Sequence, residues 1–133
     1  MTTKLYDVLI IGGGPAGLAV ATGLARQLQK AIVLDSGIYR NARSKHMHNV
    51  PGWDHVDPAV FRARAKEDLL RRYDTIEFKS AAITQIQKLA NGHFRATDET
   101  GSEYTGRKVA LGVGVRDIMP SIEGYTDCWG RGM

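Results

Sequence analysis

The sequence predicts an α/β fold in which a parallel sheet, opened by a strand–helix–strand unit, carries a small antiparallel β-meander. Three observations predict it. A short, β-branched apolar run from Tyr6 to Ile11 meets Gly12-Gly13-Gly14 and then a helical pattern. A second apolar run, Ala31 to Leu34, follows within the roughly thirty residues that such a unit needs. Past Asp74 the apolar period drops to that of strands, and Asn91-Gly92 sits between two alternating segments.

Each element follows in order. Tyr6 to Ile11 reads as a buried strand. Pro15 to about Gln29 reads as a helix, because Leu18, Ala21, Leu24, Ala25 and Leu28 recur on one face. Ala31 to Leu34 is the second strand, ending at Asp35, and the crossover between the two is expected to be right-handed. Ser36 to Trp53 is a long polar loop with three basic residues and two histidines, a length that is more often functional than idle. Asp57-Pro58 starts the next helix, with Asp as N-cap and Pro in the first turn. That helix runs to about Tyr73, with Phe61, Ala65, Leu69 and Tyr73 on one stripe. Arg62, Arg64, Lys66, Glu67, Asp68 and Arg71 are expected to form its solvated face. Ile76 to Lys79 is a strand. Ala82 to Leu89 and His93 to Thr97 form a hairpin about Asn91-Gly92. Thr100-Gly101 turns the chain again, Glu103 to Thr105 adds a third strand, and Lys108 to Val115 returns as an apolar strand through Gly112-Val113-Gly114. Pro120 to Met133 has little periodicity, and no internal linker divides residues 1–133.

The bulk numbers narrow the class. A chain of 133 residues makes one domain and can bury a core without disulfides or metals. The single Cys128 excludes an internal disulfide and a multi-cysteine metal site. Met1 to Lys4 runs into a strand without a signal-peptide pattern, and Val8 to Ile11 is far too short to cross a bilayer, so the expected location is cytoplasmic. A net charge of +4 favours anionic ligands such as a pyrophosphate. The basic residues are scattered and not interleaved with aromatics, so neither nucleic acid nor a membrane is expected as partner.

The chemistry sits in Gly12-Gly13-Gly14-Pro15-Ala16-Gly17, a G-x-G-x-x-G pattern that follows a strand, opens a helix and meets an acid at the end of the next strand. This is the context of a Rossmann-like dinucleotide site. Gly12 permits the tight turn, Gly14 lets a pyrophosphate approach the backbone, and Gly17 lets helix and strand pack closely. The helix start offers free N–H groups to phosphate, and Asp35 lies where a carboxylate accepts from ribose hydroxyls. The alternative is a glycine-rich turn that binds nothing.

Tyr6 to Leu18 resembles the FAD-binding start of the two-dinucleotide-binding flavoproteins. Asp35-Ser36-Gly37-Ile38-Tyr39-Arg40-Asn41 and His46-Met47-His48-Asn49-Val50-Pro51-Gly52-Trp53-Asp54 narrow the match to thioredoxin-reductase-like oxidoreductases, most closely the fungal gliotoxin-oxidase-type dithiol oxidases. Val113 to Asp117 and Ile122 to Tyr125 continue it. The resemblance implies FAD as cofactor. Gly12, Gly14 and Gly17, with Pro15 and Ala16 at the helix start, would hold the pyrophosphate, and Asp35 the ribose. Ser36 and Arg40 would meet the adenosine end, and Asn49 matches a position near the flavin. The family has Ala-Thr-Gly where this chain has Gly112-Val113-Gly114, so the threonine contact is missing.

The family's Cys-x-x-Cys pair, its second G-x-G-x-x-G for NADPH and its closing C-terminal segment have no counterpart here, so the expectation is a single truncated FAD-binding domain over 1–133 that is not redox-competent alone. A half-domain leaves apolar surface to cover, which predicts a homo-oligomer or a related full-length chain as partner. His46 and His48, two apart on an extended segment, are the candidate acid–base groups; a metal would need a third ligand, and loop hydrogen bonding is the plainer role. Trp53 and Trp129 suit packing or stacking on a flat ligand, Asp54 and Asp57 suit turns and caps, and Cys128 suits apolar packing. Three functions follow: an FAD- or ADP-binding module of an oxidoreductase acting on a small metabolite; a repurposed non-redox isomerase or cyclase of fungal secondary metabolism; and a non-catalytic partner subunit.

Overall fold

A computed structural model describes residues 4–130. The elements are β1 (Leu5–Ile11), α1 (Pro15–Arg26), β2 (Ala31–Asp35), a 3-10 turn (Arg40–Arg43), α2 (Pro58–Arg72), β3 (Ile76–Ser80), β4 (Ile83–Lys88), β5 (Phe94–Asp98), β6 (Glu103–Leu111) and α3 (Tyr125–Cys128). One six-stranded sheet runs in the order β3-β2-β1-β6-β5-β4. β3, β2, β1 and β6 are parallel, while β6, β5 and β4 pair antiparallel. The predicted α/β class holds, and the meander continues the parallel sheet through the shared strand β6.

From Val8 on, β1 is buried on both sides, which is why Val8 to Ile11 reads as an unbroken apolar run. Val8 and Ile10 pack with Leu18, Ala21 and Ala25 of α1 and Leu69 of α2. Leu9 and Ile11 face the opposite core with Ile32, Leu34, Ala81 and Ala96. The meander therefore supplies a second cover for the sheet. Several apolar side chains left in solvent fall close together at the end of β6 and just after it: Leu111, Val113, Val115, Ile118 and Ile122, with Ile118 94% exposed.

Three boundaries differ from the sequence expectation. α1 ends at Arg26, three residues early, because Leu28 takes a left-handed conformation (φ 57°) and is 73% exposed. The two strands expected at Glu103–Thr105 and Lys108–Val115 are one, β6. Gly106 is no turn: a Cβ there would lie 2.6 Å from Leu9 Cγ, so glycine lets β6 pass beside a fully buried leucine. β6 also stops at Leu111, where the Gly112 N–H makes its bond to the Ile11 carbonyl and Gly114 (φ 66°) diverts the chain. Elsewhere the local signals hold. Asp57 caps α2 by accepting from the Ala59 N–H at 2.7 Å. The β5–β6 turn is organised by buried Asp98, which accepts from the N–H groups of Thr100 and Ser102 and the hydroxyls of Thr100 and Tyr104.

Candidate nucleotide-binding site

β1, β2 and β6 end in register, with Ile11 beside both Leu34 and Leu111. The glycine loop leaves the middle strand at this edge, where ligands of open α/β sheets bind. Its glycines do different work. A Cβ on Gly12 (φ 106°) would lie 2.3 Å from the Gly112 carbonyl oxygen, and one on Gly17 would lie 1.8 Å from the Gly12 carbonyl oxygen. A Cβ on Gly13 would lie 2.4 Å from Asp35 Cγ. These three are filled by the fold itself. Gly14 differs: the nearest atom to its missing Cβ is Tyr39 Cδ1 at 3.9 Å. Pro15 follows in the first turn of α1, and Leu18 donates the first helical bond to the Gly14 carbonyl. The N–H groups of Ala16 and Gly17 thus stand ahead of the ladder at the positive end of the helix.

Asp35 closes β2 half-buried against Gly13. Its Oδ1 accepts from the Gly37 N–H at 3.0 Å, and its Oδ2 accepts from the Tyr39 hydroxyl. Burial, then the bond to Asp35, pushes the Tyr39 phenol up to about 12. The Arg62 guanidinium lies 3.9 Å over the Tyr39 ring and donates to Asn41 Oδ1 at 2.7 Å. Arg62 therefore leaves the charged face on which periodicity puts it and reaches across to the loop. Gly13, Asp35, Tyr39, Arg62, Lys66 and Phe78 line a cleft of about 220 Å³. The larger hollow, about 650 Å³, is a shallow dip on α2 around Lys66 and Leu70, away from the glycine loop. Ser36 is exposed and turns its hydroxyl to the Ile38 N–H.

Arg40 opens the 3-10 turn and forms a two-pronged pair with Asp117, Nε to Oδ2 at 2.9 Å and Nη2 to Oδ1 at 3.0 Å. This holds the Asp117 carboxyl below its usual range. Arg43 donates to the Thr126 carbonyl at 3.2 Å. The chain after β6 is thus tied to the loop after β2.

Asn49 is exposed in a left-handed conformation (φ 67°) within a loop closed by the Met47–Val56 bridge. His46 and His48 are both exposed, and the loop brings to them a third histidine that the sequence reading did not single out. His55 stacks on His46 at 3.9 Å and tilts toward His48 at 5.7 Å. His48 Nδ1 lies 2.8 Å from Asp54 Oδ1, and this contact holds the Asp54 carboxyl low. Asp54 is therefore a histidine partner, beyond the turn role expected of it. Among the described residues no group of three such side chains is arranged to hold a metal. Trp53 packs edge-on to Phe61, and Trp129 stacks with Tyr125.

Comparison with known proteins decides the family. Residues 6–132 match the family described as pyridine nucleotide-disulphide oxidoreductase. The chain belongs to the pyridine nucleotide-disulphide oxidoreductases. It is 48% identical over 97% of its length to thioredoxin reductase aclD of Aspergillus oryzae, and 47% identical over 98% to thioredoxin reductase tcpT of Claviceps purpurea. It covers 41% of each, so it spans about two fifths of the length of these curated relatives. A crystal structure of an oxidoreductase from Agrobacterium tumefaciens superposes with a TM-score of 0.89 at 33% identity, over 96% of this chain and 43% of that one.

The segment shared with this oxidoreductase family is its FAD-binding part, and the geometry fits that cofactor. The crowded Gly12 and Gly17 set the loop, the uncrowded Gly14 leaves room for a pyrophosphate, and Asp35 offers a carboxylate at the end of the neighbouring strand β2. Val113, at the family's threonine position, is 67% exposed and offers only hydrocarbon. Cys128, expected to pack, is exposed in α3, because that single turn has no buried face. Among the described residues no helix is long and apolar enough to cross a membrane.

Proposed function

We propose that this chain is the FAD- or ADP-binding module of a thioredoxin-reductase-like oxidoreductase acting on a small metabolite, and that it does not complete a redox cycle alone. The observation that carries this is the contrast among the glycines: Gly12, Gly13 and Gly17 are locked by backbone or by Asp35, while a Cβ on Gly14 would meet only the Tyr39 ring edge, at 3.9 Å. A fold needs the first three, and a ligand accounts for the fourth. In this reading Gly12, Gly14, Pro15, Ala16 and Gly17 hold the pyrophosphate, Asp35 the ribose, Ser36 and Arg40 the adenosine end, and Asn49 approaches the flavin. FAD, when bound, supplies the two-electron chemistry. With one cysteine the chain has no dithiol to exchange electrons with it.

A homo-oligomer or a full-length relative as partner accords with the exposed apolar residues from Leu111 to Ile122. We further propose a place in fungal secondary metabolism, in the cytoplasm, on the resemblance to fungal dithiol oxidases. A second reading, a non-redox isomerase or cyclase, draws on one observation: the His48–Asp54 contact at 2.8 Å beside His46 and His55 is a usable acid–base group.

The test is an absorbance spectrum of the purified chain, followed by denaturation to release any bound flavin and by titration with FAD and ADP. Flavin bands, or saturable uptake of either nucleotide, support the binding module. A colourless protein that takes up neither refutes it, and the histidine loop becomes the place to look for catalysis.

A further inference from the structure

Tyr39 reaches both Gly14 in the glycine loop and Asp35 at the end of β2. Its ring edge lies 3.9 Å from where a Cβ on Gly14 would be, and its hydroxyl donates to Asp35 Oδ2. The ring is held from the other side. Arg62, one turn into α2, lays its guanidinium 3.9 Å from the ring centroid and is itself fixed by Asn41 at 2.7 Å. A fixed ring, a fixed cation and a cleft lined by both are more than a loop side chain needs for its own stability.

Acceptor counting gives this arrangement a purpose. An ionised carboxylate offers about four acceptor positions. On Asp35 the Gly37 N–H takes one on Oδ1 and the Tyr39 hydroxyl takes one on Oδ2. One position remains on each oxygen, the number that a vicinal pair of hydroxyls fills. The two protein donors also stop the carboxylate from rotating, so the remaining lone pairs point one way before any ligand arrives, which lowers the ordering cost of binding. The phenol stays protonated through the physiological range and so remains a donor.

Resting on the FAD- or ADP-binding reading above, we propose that Tyr39, clamped by Arg62, is a positioning residue that orients Asp35 for a ribose cis-diol and makes the site selective for nucleotides that carry one. It acts through Asp35 and touches no reacting atom. The relevant ligand class is an adenosine diphosphate with free 2′- and 3′-hydroxyls, whether as ADP or as the ADP half of FAD.

The experiment titrates the full chain, wild type and Tyr39→Phe, with ADP and with 2′,3′-dideoxy-ADP. Wild type should prefer ADP. Tyr39→Phe should weaken ADP about tenfold, the effect of about 1.4 kcal/mol, and leave dideoxy-ADP unchanged. Arg62→Gln, which keeps the hydroxyl and frees the ring, should weaken ADP by about threefold with the same selectivity, and it decides the matter should the first variant not fold. Equal losses for both ligands would reduce Tyr39 to a packing surface. Unchanged or tighter ADP binding would make it dispensable or a plug. Either result overturns the proposal while the binding reading stands; wild type binding neither ligand nor FAD overturns both.

Discussion

Gly14→Ala and Gly17→Ala are the same chemical change three residues apart, and they should fail in opposite ways. At Gly17 the new Cβ would sit 1.8 Å from the Gly12 carbonyl oxygen and 2.9 Å from its carbon. Both atoms are backbone at a turn already held at a φ of 106°, so relief means moving β1 away from α1. Overpacking of this kind costs roughly 3 kcal/mol, the upper end of its usual range, or about 10 °C in melting temperature for a domain of this size. At Gly14 the backbone (φ −77°, ψ −172°) suits any residue and the nearest atom is 3.9 Å away. The stability gained by lowering the entropy of the unfolded chain and the weaker N-cap offset each other, leaving stability within about 0.5 kcal/mol of wild type. On the proposed reading its Cβ would project toward the pyrophosphate, and ADP affinity should fall at least about tenfold. Urea denaturation followed by circular dichroism, beside an ADP titration, reads both quantities. If Gly14→Ala unfolds as readily as Gly17→Ala, or binds ADP like wild type, the division into folding glycines and a ligand glycine is wrong.

Three further outcomes are expected. Hydrogen bonds, first that from the Thr100 hydroxyl, hold the Asp98 carboxyl at about 2. A carboxyl depressed in the folded state stabilises fully above its unfolded value near 3.9, and that contribution is lost as pH falls from about 4 toward 2. Urea midpoints across this window should drop more steeply for wild type than for Asp98→Asn. Gly106→Ala should cost roughly 1–3 kcal/mol in the same assay, because its Cβ would meet Leu9 Cγ at 2.6 Å and Leu9 has no exposed volume to move into. Ile118→Lys, at a side chain 94% exposed, should change stability by less than about 0.5 kcal/mol. In sedimentation velocity it should shift the chain toward monomer, and an unchanged distribution would remove this stretch from any self-association surface.

The parts of the fold that were legible are those where one local signal meets no rival. β1 and β2 are short apolar runs bounded by glycine or acid, and Asp57-Pro58 is a helix start whatever surrounds it. β6 reads in the sequence as two strands, Glu103 to Thr105 and Lys108 to Val115, with Gly106 between them. Its real constraint is Leu9, nearly a hundred residues earlier in the chain and beside it only once the sheet has formed. Leu28 matches the helical stripe by spacing, yet it is itself the left-handed residue, and the helix has ended at Arg26. Periodicity records which side a residue would face if the element continued and carries no information on whether it does.

The site divides along the same line. Gly12, Gly14, Gly17 and Asp35 follow from a short motif whose spacing is fixed by covalent geometry, so reading along the chain finds them. Arg62 and Tyr39 are joined by tertiary structure alone, one on the charged face of a helix and the other in a loop before it. His55 likewise meets His46 through the Met47–Val56 bridge. One signal for Arg62 was present: Asn41, its hydrogen-bond partner, and Tyr39, its stacking partner, lie two apart around Arg40, so a single cation can engage both when α2 folds over that loop. The motif thus identifies where a phosphate can approach. In the proposed site, how selectively an adenosine would be held depends on the Arg62 contacts with Tyr39 and Asn41, which exist only after α2 has packed, so substitutions on α2, far from the glycines in sequence, are the sharper probe of specificity.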